Sequence, residues 1–397
     1  MEIEQITLQN KAIIQRATPV LEKLEAHGFR AHIVGGAVRD LLMGRPIDDV
    51  DIVTSAKPVV ICTLFPKTFT MNNQHETVIV RHDHHLFEVT TERNGSLQSD
   101  LMARDFTVNS IALKSDGSLL DPLNGQADLD DKVLRSYQPM KRMTEDPLRM
   151  LRAVRFMSDL GFSLDRELMN TIKTEASKLQ YMAIERIVKE FYKLICGKHR
   201  NEALEILRET KLYQYCQIPS LNNETINKLK QLPSVGVYSE EIIWTLISKS
   251  LGLDETGPLK SLLLSNQLTK EVRNRLLALS YREKNDWDLL ALYTASRDVA
   301  EDVEVIRQLS CQSYFSLKDL KAMWNDLPIT SKKDLNITGT DLIAHFQKEP
   351  GPWVKDILQF IEQEVVLGRM VNDKHEILDA LKVRGSKNER ETTEDLS

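Results

Sequence analysis

Apolar positions in the first 28 residues recur with a helical period: Ile6, Ile13, Ile14, Val20, Leu21 and Leu24 form one broad face, which predicts a helix. Pro19 falls inside that pattern and predicts a kink or a boundary between two helices, because proline has no N–H and crowds the preceding turn. Gly28 is the expected stop. The period then shifts toward that of strands. AHIVGG (31–36) reads as a short strand entering a glycine turn, with a helix from about Ala37 to Gly44. DDVDIVTS (48–55), VIVRHD (78–83), LFEVTTER (86–93) and SIALKSDGSLLDP (110–122) read as further strands, the last turned at Asp116-Gly117.

From about residue 143 the pattern is helical. DPLRMLRAVRFMSDL (146–160), RELMNTIKTEASKL (166–179) and AIERIVKEFYKLICG (183–197) are amphipathic helices, with Gly161 and Gly197 as C-terminal stops. Helices continue to about residue 325, a new unit begins near Pro328, and RGSKNERETTEDLS (384–397) has no apolar anchors. The fold class expected is α+β: a head (1–140) with a small mixed β-sheet flanked by helices, then an all-α neck (141–200), body (201–325) and tail (326–385), and a disordered C-terminus (386–397).

Composition narrows the class. The chain has 397 residues, 42% of them hydrophobic, enough for several packed cores. No run approaches the roughly 18 apolar residues a bilayer requires, and the N-terminus lacks the basic-then-apolar order of a secretory signal. Cys62, Cys196, Cys216 and Cys311 are scattered, so neither a zinc site nor a disulfide framework is expected. The setting expected is cytoplasmic, with no membrane partner. Net charge is −6, yet Arg135–Arg200 carries 14 Lys and Arg against 8 Asp and Glu. Such a belt suits either a selective anionic partner or a solvated helical surface.

Candidate chemistry begins at Gly35-Gly36, where two glycines at a strand-to-helix junction let the backbone approach a ligand, and a helix N-terminus favours phosphate. Asp49 and Asp51 lie two apart on a predicted strand and so share a face, whereas Asp48 alternates away. Adjacent carboxylates repel unless a cation separates them, and Mg²⁺ suits a site that keeps room for water and phosphate oxygens. Each feature alone is also a turn or a solvated strand end. Arg104-Asp105 could address ribose hydroxyls, the guanidinium donating and the carboxylate accepting. Asp146 and Arg149, at i,i+3, could read a base edge; the same spacing describes a capped helix with an intrahelical ion pair. Arg149, Arg152 and Arg155 would form a basic ridge. His75, His82, His84 and His85 read as loop histidines rather than a metal site.

GGAVRDLLMGRPIDDVDIV (35–53) resembles the signature of the tRNA nucleotidyltransferases, the bacterial-type (class II) CCA-adding enzymes of the DNA polymerase beta-like superfamily. FEVTTER (87–93), RDFTVNS (104–110), DPLNGQADL (121–129), EDPLR (145–149) and ERIVKE (185–190) resemble its later motifs in family order. The resemblance implies Asp49 and Asp51 as catalytic metal ligands for Mg²⁺, with Glu88 as a third carboxylate, and Gly35, Gly36 and Arg39 at the triphosphate. It implies Arg104, Asp105 and Asn109 at the ribose, and Asp146 and Arg149 as the amino-acid template that selects CTP and ATP, with Glu145 orienting Arg149. Arg152 and Arg155 would meet phosphates or structural carboxylates, Glu185-Arg186 and Glu190 would brace the neck, and Gly125 would act as a hinge.

The implied reaction is addition of C, C and A to the 3′ end of tRNA, and the chain could act as a homodimer. Three positions depart from the family pattern: Ala103 replaces an Arg, Ser110 replaces an Ala, and Glu76 replaces the Gly that usually follows the His of the 72–77 loop. The stretch between Arg93 and Asp100 is also short for the family. The 72–77 and 93–100 segments keep open an enzyme adding only CC or only A; a poly(A) polymerase shares the motifs, and a catalytically silent tRNA-binding scaffold would not need Asp49, Asp51, Asp146 and Arg149 together.

Overall fold

The structure, a computed structural model, describes residues 2–70, 76–253 and 258–382. The 72–75 part of the loop, with His75, and the stretch 386–397 expected to be disordered lie outside those residues. The chain forms two compact units, Met1–Lys230 and Gln231–Ser397. The boundaries expected near residues 140 and 200 both fall inside the first unit.

Helix α1 (Glu2–Ala26) runs unbroken through Pro19, so no boundary between two helices falls there. Pro19 and Gln15, whose carbonyl a proline at this position leaves unbonded, are both on the exposed face, while Ala17, Val20, Leu21 and Leu24 are buried opposite. Strands β1 (Ala31–Val34), β2 (Asp51–Thr54), β3 (Thr68–Thr70), β4 (Thr77–His82), β5 (His85–Thr91), β6 (Ala112–Leu113) and β7 (Leu119–Leu120) form one seven-stranded sheet. Its order is β3-β4-β5-β2-β1-β6-β7, and β2 pairs with β5 in parallel while the other pairs are antiparallel. The mixed sheet thus matches expectation. Helices α2 (Gly36–Leu42), α3 (Pro58–Leu64) and α4 (Leu97–Met102) connect its strands, and α5 (Gly125–Asp130) follows β7. Val34, Val53, Leu101 and Ala112 pack together where α4 meets the sheet. His82, His84 and His85 sit at the β4–β5 hairpin, whose Asp83 and His84 both have positive φ.

A short parallel pair, β8 (Val133–Leu134) and β9 (Ser163–Leu164), ties the sheet region to the helices that follow. These are α6 (Pro139–Glu145), α7 (Leu148–Leu160), α8 (Arg166–Glu175), α9 (Ile184–Cys196), α10 (Arg200–Glu209) and α11 (Asn223–Lys230). Gly161 stops α7 in the left-handed conformation, as expected (φ 71). Gly197 follows α9 with φ −69, so it is glycine for another reason: a Cβ there would lie 2.1 Å from Ser158 Oγ, where α7 and α9 meet.

The described part of the second unit is helical, with elements Glu240–Leu251, Asn266–Arg282, Leu289–Ala295, Arg297–Leu309, Leu317–Asn325, Gly339–Phe346, Pro352–Val366 and 374–382. Leu327, Ile329, Leu342, Ile361, Val365 and Ile377 form a core there. Buried Glu304 accepts from Arg282 Nε (2.9 Å) and Trp287 Nε1 (2.7 Å). No described helix is long and apolar enough to cross a membrane.

The 121–129 motif is docked rather than hinged. Asp121 accepts the backbone N–H groups of Gly125 (2.7 Å) and Gln126 (2.9 Å), and Asp128 accepts from Thr107 Oγ1 (2.6 Å). A Cβ on Gly125 would sit 2.3 Å from the Thr107 carbonyl oxygen, so main chain rather than a movable side chain occupies the space. Gly125→Ala is therefore expected to destabilise the protein by about 1–3 kcal/mol, the usual cost of overpacking. Urea unfolding measures this, and an unchanged midpoint would show that the Thr107 backbone yields freely.

Candidate active site

Asp51 is the first residue of β2, and its register partner on the parallel strand β5 is Glu88. Both side chains line a cavity of about 600 Å³ between the sheet and helices α7 and α9. Asp49, expected on the same strand, instead precedes it in an irregular, exposed segment. It lines a separate depression of about 350 Å³ with Arg16, His84 and His85. Strand alternation therefore does not set the relation of Asp49 to Asp51. Its charge still reaches the neighbour: the Asp51 carboxyl is pushed above its usual range by burial, against Arg104, with Glu88 and Asp49 adding repulsion. Among the described residues no three His, Cys, Asp or Glu side chains are gathered closely enough to hold a metal ion. What the chain presents is the Asp51–Glu88 pair in the cleft, with Asp49 in the separate depression.

Gly35 lies under this pair. Its φ of +78 favours glycine, and a Cβ there would come 3.1 Å from Arg104 Nη1 and 3.3 Å from Asp51 Oδ2. Gly36 opens α2 beside it. Arg39, expected at a triphosphate, is not free to reach one. It is buried, donating to Asn109 Oδ1 (2.8 Å) and to Asp40 (3.1 and 2.7 Å), with its guanidinium 5.0 Å from the Phe156 ring centre.

The ribose residues are also largely committed to one another. Asn109 donates to Asp105 Oδ1 (2.9 Å), while Arg152 donates to Asp105 Oδ2 through Nε (3.1 Å) and Nη2 (2.7 Å). Burial alone would raise the Asp105 carboxyl, but Arg152 and the Asn109 amide hold it down to about 2. Arg104 pairs with Asp100 rather than with its neighbour Asp105, donating through Nε (3.2 Å) and Nη2 (3.1 Å). Of this group Arg104, Asp105 and Arg152 line the cleft.

The basic ridge of α7 is buried in ion pairs. Arg152 reaches Glu190 (3.4 Å) as well as Asp105, and Arg155 donates to Glu190 (3.1 Å) while lying 3.7 Å from the Phe156 ring centre. Of the two kinds of partner expected for these arginines, phosphates or structural carboxylates, the carboxylates are the ones they meet here. Glu190 braces the neck as the 185–190 motif implied.

Asp146 lies at the break between α6 and α7. Its Oδ1 accepts from the Leu148 N–H (3.2 Å) and its Oδ2 from Arg186 Nη2 (2.9 Å). Arg149 is held by two main-chain carbonyls, those of Arg142 (3.3 Å) and Ala103 (3.1 Å), with Glu145 Oε2 at 3.7 Å. Glu145 thus stands where it can orient Arg149. Asp146 and Arg149 face both the catalytic cleft and an adjoining cavity of about 970 Å³.

Arg93, Arg186 and Asp100 are among the residues at the site that were not singled out as ligand-facing from the sequence. Arg93 and Arg186 line both cavities, and Asp100, only 2% exposed, lines the catalytic one. The Asp100–Arg104 spacing of four was a readable helical ion-pair signal. The contact of Arg186 with Asp146, 40 residues away, had none.

Comparison with known proteins covers both units. Residues 31–96 and 92–135 match the family model for the poly A polymerase head domain, 161–224 that for the probable RNA and SrmB-binding site of polymerase A, and 236–381 that for tRNA nucleotidyltransferase domain 2 (putative). The CC-adding tRNA nucleotidyltransferase of Halalkalibacterium halodurans is 40% identical over 373 residues, covering 94% of this chain and 98% of that one. The CCA-adding enzyme of Bacillus cereus is 35% identical, covering 92% and 98%. A crystal structure of the Bacillus stearothermophilus CCA-adding enzyme in complex with CTP aligns with a TM-score of 0.85 at 35% identity, covering 95% of this chain and 98% of that chain. A sheet carrying paired carboxylates, a helix carrying Asp146 and Arg149, and end-to-end likeness to these enzymes lead to one assignment: the chain belongs to the tRNA nucleotidyltransferase family.

Proposed function

We propose that this protein adds C, C and A to the 3′ end of tRNA from CTP and ATP, without a nucleic-acid template and with release of pyrophosphate. The observation that carries this is the meeting of Asp51 and Glu88 with Asp146 and Arg149 around one cleft. The first pair addresses the reacting phosphate and the second the base. The RNA 3′-hydroxyl attacks the α-phosphorus in line; a P–O bond forms to the primer as the bond to pyrophosphate breaks. Enzymes of this family normally use a divalent metal. The donor set here fits one: a buried carboxylate raised above its usual range, with two more adding repulsion, is relieved by a divalent cation. Asp51 and Glu88, with Asp49, would hold Mg²⁺, which would neutralise charge on the reacting phosphate. Arg104 stands beside Asp51 with Nη1 free of its Asp100 pairing, available to an anionic oxygen. The arginines and lysines of the neck supply a local positive face for tRNA phosphates in a cytoplasmic setting.

A second reading, addition of CC alone, is favoured by two observations. The segment between Arg93 and Asp100 is short, and the 40% identical relative is a CC-adding enzyme. The discriminating experiment incubates the protein with Mg²⁺, CTP, ATP and tRNA lacking its 3′ CCA and sizes the products. Three added residues are expected. Two support the CC reading, a long ladder a poly(A) polymerase, and no extension leaves a tRNA-binding scaffold.

Arg149→Ala is expected to erode the choice of CTP over ATP by about tenfold or more, on the scale of a lost bidentate base contact, while the Mg²⁺ dependence stays put. Single-nucleotide incorporation with each nucleotide reads this, and unchanged selectivity would remove Arg149 from base reading. Asp51→Asn should lower the rate by at least about a hundredfold, because it would weaken the hold on the Mg²⁺ that would stabilise the reacting phosphate. Glu88→Gln should raise the Mg²⁺ needed for half-maximal rate; a variant with wild-type rate and metal dependence would exclude Glu88 from the metal.

A further inference from the structure

Asp100 is a carboxylate buried at 2% exposure between two arginines, and the reaction as described assigns it nothing. Its two oxygens are divided. Oδ2 accepts from Arg104 Nε (3.2 Å) and Nη2 (3.1 Å), which occupies one edge of that guanidinium and leaves Nη1 to face Gly35 and Asp51. Oδ1 accepts from the Arg93 backbone N–H (3.4 Å) and has Arg93 Nε at 3.6 Å. Arg93 Nη1 in turn donates to the Ala103 carbonyl (3.4 Å), the same oxygen that accepts from Arg149 Nη2.

Arg104 and Asp51 are opposite charges that both come within reach of Gly35, yet no ion pair closes between them at 4.0 Å or less among the described residues. A mobile guanidinium in that position would be drawn onto Asp51 by simple attraction. The competing carboxylate of Asp100 holds it back.

We propose that Asp100 is a positioning residue for nucleotide binding. It anchors Arg104 so that the free Nη1 edge meets the anionic oxygens of the incoming nucleoside triphosphate, and it keeps that arginine from neutralising Asp51. Planar guanidinium geometry makes this effective, since anchoring one edge fixes the direction of the other. Neutralising Asp100 releases Arg104, which then folds onto Asp51 and is lost to the nucleotide. This rests on the nucleotidyl-transfer reading above and adds to it the residue that sets the anion contact.

The test is a double-mutant cycle in equilibrium binding of CTP with Mg²⁺, without RNA so that nothing turns over, on wild type, Asp100→Asn, Arg104→Ala and the double variant. Asp100→Asn is expected to weaken CTP binding about tenfold or more, the scale of a lost charge-assisted contact, with Arg104→Ala at least as weak and the double variant no weaker than Arg104→Ala. In steady state Asp100→Asn should raise KM for CTP and leave KM for tRNA unchanged, a split that general loosening of the head would not give. Multiplying effects in the cycle, or wild-type CTP binding by Asp100→Asn, would overturn the proposal. Thermal unfolding monitors the fold; should Asp100→Asn fail to fold, Asp100→Glu, which keeps the charge but shifts it by one methylene, is read in the same cycle. Wild-type protein that binds no CTP would sink the nucleotidyl-transfer reading itself and this proposal with it. CTP binding that depends on Arg104 but not on Asp100 would sink only this one.

Discussion

The cleft depends on a buried file of alternating charges that joins the sheet to the neck. Arg39 bonds to Asn109, Asn109 to Asp105, Asp105 to Arg152, Arg152 to Glu190, and Glu190 to Arg155. The guanidinium groups of Arg39, Arg152 and Arg155 also surround the Phe156 ring, which packs edge-on against Phe106 at 5.6 Å. Desolvating charges costs several kcal/mol per ion, so such a file adds little net stability. Its contribution is register. Each carboxylate has more than one donor, so sliding α7 along the head would leave a buried charge uncompensated, which is costly. The distance from Asp51 to Arg149 is held by that penalty.

The proposed base choice inherits this register. Arg149 reaches the cleft from α7, the helix that Arg152 locks to Asp105. Burial lowers the tendency of the Arg149 guanidinium to hold its charge, while Asp105 and Asp146 favour it. The group therefore remains a charged donor in a partly dry pocket, where a hydrogen bond to a base edge is stronger than in water. Asp146 accepts from Arg186 in this structure, so a base that bonds to Asp146 competes with that contact.

Much of this fold was legible because the hydrophobic period changes cleanly from strand-like to helical near residue 143, and β1, β2, β4, β5, α7 and α9 lie where that pattern places them. The candidate site was legible by residue type but less so by role. Alternation put Asp49 on a strand that in fact starts at Asp51, because a two-residue period does not mark where pairing begins. Arg39, Arg152 and Arg155 carry charges that a sequence leaves free to meet any anion, and the fold gives them internal carboxylates and an amide. Gly125 and Gly197 look like turn and stop signals, yet each is glycine because another backbone segment comes too close for a Cβ. Such long-range contacts leave no periodic trace.

The departures from the family pattern acquire physical meaning together. Glu76, where the family usually has Gly, has a left-handed backbone (φ 50), a conformation that glycine adopts with less strain than a residue with a side chain. Ala103 loses the family's arginine, but its carbonyl, at the C-terminal end of α4, is the acceptor shared by Arg93 and Arg149. A helix C-terminus carries partial negative charge and leaves its carbonyls in need of donors, so it attracts guanidinium groups. Helix α4 is itself held, through the Ser96 cap on the Ser99 N–H (3.2 Å) and through Asp100. Because the segment from Arg93 to Asp100 is short, little chain is available to move α4 without breaking these bonds. Arg149 is therefore docked on main chain that is itself held by the Ser96 cap and by Asp100.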